Sequence, residues 1–127
     1  MPDIAVRYIV TDVDEATAFY TTWLGFTVAI DAAPAFVALD RGGLRLFLNA
    51  AGGPGGASQA MPDGSRPAPG GWNRFQLQID DLDAEVDRMR AQGLHFRSDV
   101  IVGRGGSQIL LDDPAGNPVE LFQPAGR

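Results

Sequence analysis

The segment "TDVDEATAFYTTWLGF", residues 11–26, predicts a helix that is bounded at both ends. Asp12 suits the N-cap position, because its carboxylate can accept a hydrogen bond from a free N–H group of the first helical turn. Glu15 follows three residues later, as in a capping box. Gly25 can adopt the left-handed conformation that ends many helices. We therefore predict a helix over residues 14–24.

A second segment, "IDDLDAEVDRMRAQG" at residues 79–93, repeats this arrangement. Asp81 precedes the helical pattern as an N-cap and Gly93 follows it, which predicts a helix over residues 82–92. Alternating apolar and polar residues predict one strand before each helix and three strands after it. The predicted strands cover residues 5–12, 26–30, 35–40 and 44–50 around the first helix, and residues 74–80, 94–100, 107–113 and 118–123 around the second.

The order of strand, helix and three strands therefore occurs twice, and such an internal repeat is a strong indicator of architecture. It predicts an α+β fold in which two βαβββ modules form a single domain over residues 1–127. Module one covers residues 1–49 and module two covers residues 72–125. A chain of 127 residues with 45% hydrophobic content can bury one compact core.

The stretch between the modules, "AAGGPGGASQAMPDGSRPAPGG" at residues 50–71, is too rich in Gly and Pro to favour regular structure. One interpretation is a linker between the modules. The other is an arm or lid over a site, because long loops in compact domains are often functional.

Composition excludes several classes of function. The net charge of −6 argues against nucleic acid, since phosphate contacts need a clustered basic face. The chain has no Cys or Lys and one His, so thiolate, Schiff-base and multi-histidine metal chemistry are excluded. The sequence has no apolar run long enough to span a membrane, and "MPDIAVRYIV" is not typical of a signal peptide. We expect a cytoplasmic protein without membrane partners.

The repeated module resembles the vicinal oxygen chelate superfamily, the group of glyoxalases, bleomycin-resistance proteins and extradiol dioxygenases. In the first module, "TDVDEATAFYTTWLGF" carries the likeness. In the second, "IDDLDAEVDRMRAQG" and "DDPAGNPVELFQP" at residues 112–124 carry it. The resemblance implies that each sheet curls into a cup with its helix outside, and that a ligand binds between two cups. It also implies a homodimer, in which cups from different subunits commonly form one site.

Metal-dependent members of this superfamily take one ligand from the first strand and one from the last strand of each module. The corresponding positions in this chain are Ala5, Arg45, Arg74 and Glu120. Alanine has no donor atom, and arginine cannot realistically lose its proton to bind a divalent ion. We therefore predict no metal and no cofactor, with Glu120 as the remnant of an ancestral ligand set.

Strand alternation indicates which side chains face the cup. The predicted ligand-binding residues are Arg45, Phe47, Asn49, Trp72, Arg74, Gln76, Glu120 and Phe122. Two interpretations stay open for the charged members, because Arg45, Arg74 and Glu120 could bind a ligand or form only a structural ion-pair cluster. Trp72 could stack on a ligand or anchor the loop. His95 has no evident acidic partner and is interpreted as structural.

These residues favour a metal-free small-molecule binding protein, similar to the drug-sequestering members of the superfamily. The expected ligand is planar and oxygen-rich. The alternative is a lyase or oxidoreductase of the glyoxalase or dioxygenase type. It would act on a small carbonyl or aromatic substrate and use Glu120 as acid, base or metal ligand. A third possibility is an accessory subunit without a site of its own.

Overall fold

The computed structural model describes residues 3–126, which fall into two units with their boundary between Gly70 and Gly71. Unit 1 contains β1 (Val6–Val10), α1 (Val13–Trp23), β2 (Thr27–Ala32), β3 (Phe36–Arg41) and β4 (Leu44–Ala50). Unit 2 contains β5 (Gln76–Gln78), α2 (Leu82–Ala91), β6 (Ile101–Val102), β7 (Gly106–Asp112) and β8 (Pro118–Pro124). Each unit is one βαβββ module, so the predicted fold class is confirmed.

The sheet of unit 1 has the strand order β1-β4-β3-β2. β1 runs parallel to β4, whereas β3 is antiparallel to both β4 and β2. Side chains alternate between the two faces along β4. Leu46 and Leu48 are fully buried beneath α1, where they form a core with Phe19 and Tyr20. The opposite face, which carries Phe47, is called the open face of unit 1.

The predicted end signals of α1 are confirmed. The carboxylate of Asp12 accepts a hydrogen bond from the backbone N–H of Glu15 at 3.0 Å, which satisfies one donor of the first turn. Gly25 has a φ of 71°, a left-handed conformation that permits the chain to leave the helix. The observed helix, Val13–Trp23, therefore differs from the predicted range by one residue at each end.

The sheet of unit 2 has the corresponding order β5-β8-β7-β6. Its buried face carries Ile109, Leu111, Val119 and Leu121, and α2 covers it with Leu82, Val86 and Met89. Asp81 caps α2 as predicted, since its carboxylate accepts a hydrogen bond from Ala84 N–H at 3.2 Å. No helix among residues 3–126 is both long and apolar enough to cross a membrane.

The predicted strand over residues 94–100 is wrong. Its residues pair with β7 only through an isolated bridge between Phe96 and Leu111. The second strand of unit 2 along the chain is instead the later β6, whose two residues pair with Ser107 and Gln108. The backbone N–H of Arg97 still donates to the carbonyl of Leu110 at 3.0 Å, and residues 98–100 then leave the sheet, where the side chain of Arg97 bonds to the backbone carbonyls of Gly71 and Gly116.

The prediction that residues 50–71 hold no regular structure is wrong for their first part. Gly56–Ser58 forms a short 3-10 helix. Gly52 N–H donates to the carbonyl of Ser58 at 3.1 Å, and Ser58 is buried. The beginning of this glycine-rich stretch therefore folds as part of unit 1.

Candidate functional site

Unit 2 contains a half-open cavity of about 310 Å³. Its lining combines the stretch before β5, the irregular segment before β6, the first residue of β6, and β7. The lining residues are Trp72, Arg74, Arg97, Ser98, Ile101, Gln108, Ile109 and Leu110. Two of these, Trp72 and Arg74, are among the predicted ligand-binding residues, and the other six were missed. The volume is within the range of sites that take drug-sized molecules.

Arg97 connects three parts of unit 2 beside this cavity. Its Nε donates to Asp112 Oδ1 at 2.7 Å, its Nη1 to the carbonyl of Gly71 at 2.8 Å, and its Nη2 to the carbonyl of Gly116 at 3.1 Å. The guanidinium group suits this arrangement because its donors have a fixed, planar geometry. Arg97 therefore fixes the chain before β5 against the β7–β8 turn.

Trp72 forms an aromatic surface at the cavity. The guanidinium carbon of Arg97 lies 4.7 Å from the centroid of its ring, within the range of a cation–π contact. The residue is nevertheless 68% exposed. The two interpretations of Trp72 are thus compatible, because Arg97 holds part of the ring while the rest is available to a ligand.

Asp112 also bonds to the histidine. His95 Nδ1 lies 2.9 Å from Asp112 Oδ2, although the histidine side chain is 73% exposed. The prediction that His95 lacks an acidic partner is therefore wrong. Sequence reasoning missed this contact because the two residues are brought together only when residues 95–97 pair with the end of β7.

Glu120 is buried, and both of its carboxylate oxygens accept hydrogen bonds. Its Oε1 accepts hydrogen bonds from Arg74 Nε at 3.0 Å and Nη2 at 2.9 Å, and its Oε2 accepts one from Gln76 Nε2 at 2.7 Å. β5 and β8 place these groups together, since Gln76 is directly opposite Glu120 in the parallel pair. Three predicted site residues thus form one charge-balanced cluster.

In unit 1, Arg45 has a carboxylate partner that the sequence reasoning missed. Its Nε and Nη2 donate to the two oxygens of Asp40 at 2.8 and 3.0 Å. This hydrogen bonding holds the pKa of the Asp40 carboxyl below its ordinary value and raises the pKa of the guanidinium. The "DRGG" hairpin between β3 and β4 sets the register, so the hairpin signal could have identified the pair.

The remaining predicted residues lie on the two sheets. Phe47 is on the open face of unit 1, with Arg7 4.9 Å above its ring centroid. Asn49 is 3% exposed, and its amide approaches the carbonyl of Ala35 at 3.5 Å. Phe122 is half-buried on β8, opposite Gln108. Neither Asn49 nor Phe122 lines the cavity of unit 2.

Comparison with known proteins places this geometry in a family. The family profile described as Glyoxalase/Bleomycin resistance protein/Dioxygenase superfamily matches residues 4–121. The chain belongs to this superfamily. A comparison with curated proteins finds no match.

Solved structures of the superfamily fold superimpose on nearly the whole chain. Lactoylglutathione lyase from Agrobacterium tumefaciens is 24% identical with a TM-score of 0.71, and the match covers 96% of this chain and 94% of that one. TnmS3, an antibiotic binding protein from Streptomyces sp. CB03234, is 23% identical with a TM-score of 0.68 and coverage of 98% and 99%. The fosfomycin resistance protein FosX from Listeria monocytogenes is 18% identical, with a TM-score of 0.67 and coverage of 98% and 91%. At these identities the likeness establishes the shared fold.

The residues at the metal positions of the superfamily do not fit a divalent ion. Ala5 offers no donor, Arg45 is paired with Asp40, and the guanidinium of Arg74 is bonded to the carboxylate of Glu120. Among residues 3–126 no group of three or more histidine, aspartate or glutamate side chains converges in a way that could hold a metal ion. A ligand set for zinc or iron needs several such donors around one point.

Proposed function

We propose that the protein binds a planar, oxygen-rich, uncharged small molecule in the cavity of unit 2 and releases it unchanged. The observation that carries this proposal is a drug-sized cavity of about 310 Å³ whose charged groups are already paired within the chain. Trp72 offers the flat surface, and Ile101 and Leu110 offer apolar walls. Such a site holds a ligand without supplying a reactive group.

The charge balance of the cavity supports an uncharged ligand. Arg74 is matched by Glu120 and Arg97 by Asp112, so no net charge is left for an ion. Arg74 has five N–H groups, of which three donate to Glu120 and to the carbonyl of Trp72. Its two other N–H groups are available to carbonyl or hydroxyl oxygens, which supports an oxygen-rich ligand.

An enzymatic role that uses Glu120 has less support. A general base needs a lone pair that can take a proton, and a metal ligand needs an oxygen free to coordinate. Hydrogen bonds from Arg74 and Gln76 occupy three of the roughly four lone-pair positions of the Glu120 carboxylate. We therefore favour sequestration over lyase or oxidoreductase chemistry. The Streptomyces structure is that of an antibiotic binding protein. We propose antibiotic binding as the physiological role of this chain as well.

Fluorescence of Trp72 tests the proposal directly. The chain has two tryptophans, so Trp23→Phe leaves Trp72 as the sole indole. We expect hydroxylated anthraquinones, used as planar neutral probes, to quench its emission on binding. Calorimetry on the wild type should give the same affinity as Trp23→Phe, whereas Trp72→Leu should abolish binding. Arg74→Ala should weaken binding by about 1.5–3 kcal/mol, the range for a charge-assisted hydrogen bond.

Two further measurements on the purified protein distinguish binding from catalysis. Mass spectrometry should recover the probe unchanged after long incubation. Elemental analysis of protein purified without chelators should find less than one equivalent of zinc, iron, nickel or manganese per chain. Conversion of the probe, or a full equivalent of metal that is lost in Glu120→Gln, would overturn the proposal.

A further inference from the structure

The stretch that follows the 3-10 helix contains a closed turn at residues 61–65, which we call the 61–65 turn. The backbone N–H of Met61 donates to the carbonyl of Ser65 at 2.7 Å, and the N–H of Gly64 donates to the carbonyl of Met61 at 2.9 Å. Gly64 has a φ of 87°, a conformation that glycine adopts at little cost. All five residues are exposed, so the turn is open to reaction with water.

The turn contains the one Asp-Gly pair of the sequence, Asp63 and Gly64. An aspartate before a glycine is chemically labile, because glycine has no side chain to shield its backbone nitrogen. In ring closure the Gly64 nitrogen bonds to Cγ of Asp63, a Cγ–O bond breaks, and the hydroxyl of the acid leaves as water with the amide proton. Water then adds to the backbone carbonyl carbon of Asp63 and breaks its bond to that nitrogen. The product is isoaspartate, in which the chain continues through Cγ.

Hydrogen bonds within the 61–65 turn oppose ring closure. Asp63 Oδ1 accepts one from the backbone N–H of Ser65 at 2.9 Å and one from Ser65 Oγ at 2.6 Å. Ring closure converts this carboxylate into an imide carbonyl, which has no charge and is a weaker acceptor. It also removes the amide proton of Gly64, so the bond from Gly64 to the carbonyl of Met61 is lost. The folded turn therefore stabilises the aspartate more than the cyclic imide.

The ionisation of Asp63 acts in the same direction. Ring closure proceeds from the protonated acid, because an oxygen that carries a negative charge does not leave. The hydroxyl of Ser65, and then its backbone N–H, bond to the charged form and hold the pKa of the Asp63 carboxyl below its ordinary value of 3.8. The folded turn therefore contains less of the reactive acid at a given pH than an unstructured chain does.

We propose that Asp63 is a site of spontaneous isoaspartate formation and that the hydroxyl of Ser65 suppresses this reaction in the folded chain. Isomerisation adds one methylene group to the path of the backbone between Asp63 and Gly64. The two backbone hydrogen bonds that close the 61–65 turn do not accommodate this longer path. Ser65 therefore preserves the conformation of the turn, and this role does not depend on the ligand-binding function proposed above.

Incubation of three samples at pH 6 for several weeks tests the proposal: the wild type, Ser65→Ala, and a synthetic peptide of residues 58–68. Isoaspartate is quantified by enzymatic methylation of its free carboxylate and is located by fragmentation mass spectrometry. We expect the peptide to react fastest, because it lacks the folded turn. Ser65→Ala should form isoaspartate at residue 63 about fivefold faster than the wild type, the change in rate that corresponds to one hydrogen bond.

Three further variants complete the experiment. Ser65→Thr keeps the hydroxyl, and Ser107→Ala removes a hydroxyl from β7 instead, so both should react at the wild-type rate. Asp63→Glu should give no product at this position, because its longer side chain closes a six-membered ring much more slowly. The proposal is overturned if Ser65→Ala reacts at the wild-type rate, if Ser65→Thr reacts as fast as Ser65→Ala, or if the wild type reacts as fast as the peptide. None of these results bears on the anthraquinone test of the unit 2 cavity.

Discussion

At the scale of single residues, Arg97 determines much of the geometry around the cavity. One guanidinium bonds to Asp112 and to the carbonyls of Gly71 and Gly116. Its side chain is only 19% exposed, so water replaces these bonds poorly when the group is removed. A lysine at this position could not reach three acceptors with one planar group.

We predict that Arg97→Ala lowers the free energy of unfolding by about 2–3 kcal/mol, because Asp112 loses a charged hydrogen-bond partner. The emission of Trp72 should also shift to longer wavelength, since its ring loses the guanidinium that covers it. Urea denaturation and fluorescence of the Trp23→Phe background measure both effects. Arg104→Ala, at an exposed turn position, is the control. Equal losses in the two variants would show that Arg97 has no special role.

Asp40 should make stability depend on pH. The hydrogen bond from Arg45 lowers the pKa of its carboxyl in the folded state below the ordinary value of 3.8. A lowered folded-state pKa contributes stability above the unfolded-state pKa, and this is lost as the pH falls through the folded-state value. Asp40→Asn should therefore be less stable than the wild type at pH 7, and the difference should shrink below about pH 4.

Urea midpoints at pH 7, 5 and 3 measure this difference. Asp87→Asn removes the same charge from the exposed surface of α2 and serves as the control. A gap between wild type and Asp40→Asn that stays constant from pH 7 to pH 3 would contradict the role assigned to the ion pair.

At the scale of elements, the start of β7 needs a glycine. Gly106 has a φ of 150°, and a Cβ added there would collide with the carbonyl oxygen of Gln123 and lie 2.9 Å from the ring of Phe122. Gly106→Ala should therefore destabilise the protein by about 3 kcal/mol, from overpacking and backbone strain together. Thermal denaturation measures the loss. Gly105→Ala has no atom within 4 Å of its new Cβ and should cost far less.

The helices could be predicted because their end signals are local. Asp12 and Asp81 each cap the turn that follows within three residues, and the structure confirms both. The segment 94–100 could not be predicted, because its apolar alternation satisfies the strand pattern while distant groups decide its path. Arg97 bonds across to Gly71 and Gly116, and no periodicity within the segment encodes those contacts.

The same distinction between local signals and contacts with distant residues applies to the candidate site. Alternation correctly separated the two faces of β4, since Leu46 and Leu48 are buried while Phe47 is on the open face. Alternation alone did not identify Asp40 as the partner of Arg45, because that contact depends on the register that the "DRGG" hairpin sets. Which charged side chains neutralise each other is thus set by the register between neighbouring strands.

At the scale of the whole molecule, the two modules share an architecture and differ in surface chemistry. The inner face of unit 2 pairs Glu120 with Arg74 and Gln76, and Gln78 and Gln108 extend this polar surface. The open face of unit 1 is largely apolar and ends at Arg7. The duplication therefore provides two surfaces of different chemistry, which a symmetric repeat would not.

We predict that the protein is a homodimer. The strands β2 and β6 are at sheet edges, and they expose Val28 at 48% and Val102 at 80%. Exposed apolar edge strands favour association, and two-fold dimers are the commonest way to cover such edges. Sedimentation equilibrium at micromolar concentration should give twice the mass of the chain.

Substitutions at the edges locate the interface. Val28→Lys and Val102→Lys should each shift the equilibrium toward monomer, because a buried lysine without a partner is costly and charged edges resist pairing. Ala18→Lys adds the same charge to the exposed surface of α1 and should leave the dimer intact. A monomeric wild type at tens of micromolar would refute the dimer itself. If both valine variants remain as dimeric as the wild type, the edge strands are not the contact surface of the dimer. A dimer that buried unpaired lysines at these edges would be weakened.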